Sequence, residues 1–179
     1  MHEKDKLEEA KYFFSKMQSD KEDPVAFKHN LSACLSSARS VMQYALDEAK
    51  NKTGGQKWYD GWMKSSPILT FFKNKRDYNI HTAPVVLLKH TNITVTETVR
   101  ISESIKIEIK DKDGKLIGVR MISDPPNSQT PEGSSATSET GYRFDDWAKG
   151  EDVIVLCSKY MAELERFIQE GIGKGYISG

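Results

Sequence analysis

The sequence predicts an α+β protein, and three observations carry that prediction. Apolar residues recur at three- and four-residue steps up to Pro84, the period falls to two between Pro84 and about Met121, and a helical period returns after Gly150. The expected organisation is a helical region over residues 1–83, a small antiparallel β-meander over 84–123 and a flexible loop over 124–141. A helical segment over 142–179 then packs back to complete the same domain.

The first helix is expected over Glu3 to Gln18, with Leu7, Ala10, Phe13 or Phe14 and Met17 on one face. Asp23 as N-cap and Pro24 at the first helical position open a second helix that runs to about Lys52, where Gly54-Gly55 stops it. Its apolar stripe is Phe27, Leu31, Cys34, Ala38, Val41, Ala45 and Ala49. Between Leu31 and Ser40 the side chains are small, so a neighbouring helix or a partner subunit can approach closely. Lys57 to Met63 forms a short aromatic segment with Trp58, Tyr59 and Trp62, suited to core packing and less to stacking on bases. A fourth helix starts at Ser66-Pro67 and ends by Pro84, whose ring forbids continuation.

Strands are expected in three runs: Ile93-Val95 through Val99 and Ile101; Ile105, Ile107 and Ile109; and Leu116 to Met121, the last two joined at Asp113-Gly114. Asp124 to Gly141 is rich in Pro, Ser and Thr with almost no apolar side chain, hence the loop. Tyr142, Phe144 and Trp147 return as apolar anchors, with Asp145-Asp146 read as the cap of a short helix. The last helix spans Glu151 to Gln169 and buries Val153, Leu156, Tyr160, Leu164, Phe167 and Ile168.

Lys plus Arg and Asp plus Glu number 26 each, so no global field draws the chain to nucleic acid or anionic lipid. Any RNA contact must come from a local patch. The longest apolar runs, such as Val85-Val86-Leu87-Leu88, fall far short of the roughly 20 residues that cross a bilayer. No apolar signal segment occurs in the first 20 residues, so a cytoplasmic protein without membrane contact is expected. Cys34 and Cys157 lack metal-ligand spacing and are expected as reduced core thiols. No phosphate loop is visible, and neither His29 nor His90 has metal-ligand spacing.

One constellation can carry chemistry. At about 100° per residue, Leu69, Phe72, Arg76 and Ile80 share one sector of the fourth helix, so Arg76 is expected inside an apolar stripe. A guanidinium there needs a carboxylate, a carbonyl or an anionic ligand. His81 lies five residues on, about 140° around the axis and about 7.5 Å along it. Asp77 stands four residues before His81 and can face it, and the helix C-terminus favours a protonated imidazole. Alternatively, Arg76 pairs with Asp77 or a carboxylate on another helix, and His81 caps carbonyls.

The string Arg76-Asp77-Tyr78-Asn79-Ile80-His81 resembles the Arg-x4-6-His motif of the HEPN superfamily, in which a polar residue follows the arginine. The resemblance covers about residues 3 to 83. It implies a four- or five-helix bundle with the motif near the end of one helix. It also implies a metal-independent endoribonuclease without cofactor, acting on RNA as a homodimer with two motifs facing one cleft. Residue by residue, Arg76 would hold the scissile phosphate, His81 would act as general acid or base, and Asp77 would support the site. Where a toxin subclass carries a modified Tyr two residues after the histidine, this chain has Ala83, so that regulatory scheme is not implied, and the sequence leaves a protein partner or antitoxin open. The competing expectation is a non-enzymatic module that dimerises through the small-residue face of the second helix and recognises partners by strand-edge pairing.

Overall fold

The computed structural model describes residues 2–96, 104–123 and 135–178. Five helices and four strands occur among them: α1 (His2–Ser19), α2 (Pro24–Ala49), α3 (Gly55–Ser65), α4 (Pro67–His81), β1 (Leu87–Thr96), β2 (Ser104–Lys110), β3 (Leu116–Ser123), β4 (Ser135–Phe144) and α5 (Val153–Gly173). The chain divides into two compact units, residues 1–91 with 140–179 and residues 92–139. All five helices belong to the first.

Helix starts follow local chemistry. The Asp23 carboxylate accepts from the backbone N–H groups of Val25 at 2.9 Å and Ala26 at 3.1 Å, satisfying donors that have no partner within the helix. Ser66 Oγ accepts from Leu69 N–H ahead of α4, and Asp152 Oδ1 from Ile154 N–H ahead of α5. α2 ends at Ala49, three residues short of expectation, because the chain folds back onto its last turn. A Cβ on Gly55 would sit 2.1 Å from the Ala49 carbonyl oxygen.

The core lies between the five helices, with Trp58 and Tyr59 of α3 among its buried residues. Every stripe residue expected for α2 is buried, as are all six expected for α5. Phe167 of α5 stacks on Trp58 with centroids 4.7 Å apart and meets the edges of Tyr59 and Trp62. Burying a side chain of this size contributes about 1.5–3 kcal/mol. Tyr160 stacks on Phe72 at 4.3 Å, and Tyr142 on Phe27 at 4.1 Å. The small-residue face of α2 is consumed here: Cys34 and Ala38 are fully buried, and Ser37 donates to Glu9 of α1. These positions serve close packing within one chain, while Ser32, Ala33, Ser36 and Ser40 stay partly exposed.

The β structure departs from a meander. β1 pairs with β4, and β2 with β3, in two antiparallel two-stranded sheets. The turn between β2 and β3 uses Gly114 at φ 82°, as Asp113-Gly114 predicts. β4 starts inside the stretch read as loop, whose remainder, residues 124–134, lies outside the described residues, as do Val99 and Ile101. The loop reading missed β4 because Ser135 to Thr140 has no large apolar side chain, and Thr137, Ser138 and Glu139 are exposed. Threonine nonetheless suits a pleated backbone, and a ladder needs only main-chain donors and acceptors. Beyond the strand, Tyr142 and Phe144 are buried as anchors, and Tyr142 donates its hydroxyl to the Lys21 carbonyl.

Within the second unit, register fixes two faces on the β2–β3 ribbon. Ile107 opposite Arg120 and Ile109 opposite Gly118 share one, with Ile122; Lys106 opposite Met121 and Glu108 opposite Val119 share the other. Ile107, Ile109, Val119, Met121 and Ile122 are all exposed. No helix among the described residues is long and apolar enough to cross a membrane.

Candidate functional site

The motif residues occupy the last two turns of α4. Leu69 and Phe72 of the expected stripe are buried, but Ile80 is 48% exposed and the third buried position is Lys75 in place of Arg76. The helix is therefore rotated by about one residue from the sequence reading. Arg76 sits at the boundary of the core, its side chain 29% exposed. Its Nη1 donates to Asp77 Oδ1 at 3.2 Å, while its Nε is buried without a hydrogen-bond partner among the described residues.

Asp77 turns toward cations and not toward His81. Its carboxylate receives Arg76 and lies 3.8 Å from Lys73 Nζ. His81 is exposed and has no hydrogen bond or ion pair among the described residues, so neither the Asp77–His81 contact nor a capping role is formed. The terminal carbonyl of Tyr78 instead accepts from the backbone of Thr82 and Ala83. Asn79, inside the motif, has structural work: its amide donates to Ser32 Oγ at 2.7 Å and its carbonyl accepts from Val85 N–H at 3.2 Å. The last turn of α4 is thus tied both to α2 and to the entry of β1.

Sequence reasoning missed Lys75. Its Nζ lies 2.5 Å from Asp146 Oδ1 and 3.7 Å from Asp145 Oδ1, and 5.5 and 5.2 Å from the ring centroids of Phe71 and Phe144. Asp145-Asp146 therefore pairs with a cation and caps no helix. Phe71, Asn74, Lys75 and Tyr78 recur on one face of α4 and, with Val86 and the two aspartates, line a cleft of about 350 Å³. That recurrence, beside an acidic pair lacking a cation, was the available signal. With its charge already matched, the cleft is a poor anion site.

The other candidates resolve as structure. Trp58 is buried and donates its indole N–H to Glu170, so its face is closed to bases. His90 lies within β1, its Nε2 3.8 Å from Asp152 Oδ2, the carboxylate that also accepts from Tyr142 N–H. A Cβ on Gly141 would collide with both His90 and Asp152, at 2.4 and 2.6 Å. Both thiols are free, and burial pushes Cys34 up to about 12 and Cys157 well above its ordinary value. Comparison with protein-family models, with curated proteins and with solved structures returns no significant match.

Proposed function

We propose that the C-terminal turns of α4 bind an RNA phosphodiester and cleave it without metal, as the HEPN resemblance implies. The observation that carries this reading is the unfinished coordination of Arg76 among the described residues: a buried Nε with no partner there, on a guanidinium paired there with a half-exposed aspartate. A surface ion pair of this kind is worth about 0–1 kcal/mol, so an incoming phosphate can displace it. A phosphate oxygen would supply the missing acceptor with a charge-assisted bond.

His81, accessible on the next turn, is the proton-transfer group. The ribose 2′-hydroxyl loses its proton and attacks the adjacent phosphorus, the bond to the 5′ oxygen breaks, and that oxygen takes up a proton. A 2′,3′-cyclic phosphate and a 5′-hydroxyl remain. Asp77 positions the guanidinium until substrate arrives. In this reading the protein acts in the cytoplasm as a homodimer whose two motifs share substrate.

A second reading, a non-enzymatic binding module, is favoured by one observation: Asp77 already neutralises Arg76 within the chain. Incubation of purified protein with mixed RNA in EDTA separates the two. The nuclease reading expects cleavage to persist, to leave cyclic phosphate ends, and to fall about 10²–10⁴-fold in folded His81→Ala, with a comparable loss in folded Arg76→Ala. Equal cutting by both variants, or cutting only with magnesium, replaces it with the binding module.

A further inference from the structure

The hairpin of the second unit poses a physical problem. A two-stranded ribbon is marginal in water, and three or more strands are normally needed for independent stability. Among the described residues β2 is paired on one side only, to β3, which leaves its other edge with unmet donors and acceptors. Natural edges of this kind are usually guarded by lysine, and β2 carries Lys106 and Lys110. Yet this guard is matched, because Glu108 shares a face with Lys106 and lies 2.9 Å from it.

The sequence of β2, Ser-Ile-Lys-Ile-Glu-Ile-Lys, is self-complementary when reversed about Ile107. Antiparallel pairing of two copies in that register sets Ile107 opposite its own copy. Lys106 then faces Glu108 of the other chain, and Glu108 faces Lys106. Directly opposite residues in a ladder stand about 4.5–5.5 Å apart, within reach of such pairs. A foreign strand without this alternation would offer Lys106 and Glu108 no opposite charge across the ladder. We infer that β2 is a self-recognition edge: two copies of this chain pair their β2 strands antiparallel about Ile107, forming one four-stranded sheet. The two-residue charge alternation selects the partner and the register together, since a one-residue slip would set isoleucine against charge. This pairing does not rest on the nuclease reading.

Analytical ultracentrifugation of the full chain at tens of micromolar tests it. The wild type should have the two-chain mass, and Ile107→Glu, which opposes two carboxylates on the axis, should be a single chain. Lys106→Glu and Glu108→Lys should each weaken association by about tenfold or more, since each sets like charges opposite one another. Mixing those two variants should restore a dimer, because each then supplies the charges the other lacks, and the double reversal in one chain should restore it as well. Unchanged helical circular dichroism in each variant is the folding control. A single-chain wild type, single reversals that leave association intact, or failure of both the mixture and the double reversal would overturn the proposal.

Discussion

α5 and the β2–β3 hairpin carry the same kind of sequence signal and meet opposite fates. Val153, Leu156, Tyr160, Leu164, Phe167 and Ile168 recur at helical spacing and are all buried. Ile107 and Ile109 of β2 alternate just as regularly and remain 39% and 47% exposed. Periodicity reports local conformation and which residues share a face. Whether that face is covered depends on what the rest of the chain, or another chain, brings to it.

Substitutions should grade accordingly. Phe167→Ala removes a ring that touches three other aromatics and should cost about 3–5 kcal/mol in urea denaturation. A loss under about 1 kcal/mol would mean that the helical core is loosely packed.

Alkali should act on the helical unit, since both buried cysteines lie there. The Cys34 thiol is raised in the folded chain, so above the ordinary value of 9.0 the unfolded chain releases a proton that the folded one keeps. This thiol therefore leaves stability untouched below about pH 8 and lowers it as pH rises, by roughly 1.4 kcal/mol per pH unit between about pH 9 and 12, with Cys157 acting in the same direction. Denaturation at pH 8 and pH 10 should show the fall in the wild type and its loss in Cys34→Ala/Cys157→Ala. Equal slopes in the two proteins would assign it elsewhere.

Lys75→Ala should cost about 2 kcal/mol, from a buried stem and two cation–π contacts, whereas Lys75→Met, which keeps the stem, should cost under about 1. Thermal melts of the pair would show whether charge or packing dominates. At the bottom of the scale, Ile117→Ser on the exposed hairpin should change stability by no more than about 0.5 kcal/mol. A large loss there would place Ile117 in a covered interface and would erase the contrast with α5.

The same contrast explains what the sequence made legible. Helix starts at Asp23-Pro24 and Ser66-Pro67 are local, so they could be read from adjacent residues. The partner of β1 could not be, because β4 lies some forty residues away and lacks apolar alternation through Thr140. The rotation of α4 was lost for a related reason. Steps of three and four are both helical, and the choice of Lys75 over Arg76 as the buried cation depends on Phe144 and Asp146 arriving beside Phe71. Arg76 and His81 could be singled out from their types and spacing, while the turning of Asp77 toward Lys73 could not.

The stack of Trp58 on Phe167 belongs to a wider segregation: every Trp, Tyr and Phe of the chain lies in the helical unit, and residues 92–139 contain none. The hairpin unit is therefore spectroscopically dark at 280 nm. Tryptophan emission, near-ultraviolet dichroism and ring-current-shifted methyl resonances report the other unit first, and a clean single transition by any of them describes that unit. Only peptide-bond absorption, isotope-labelled isoleucine methyl groups or mass would register the β2–β3 ribbon as it melts, pairs or changes partner.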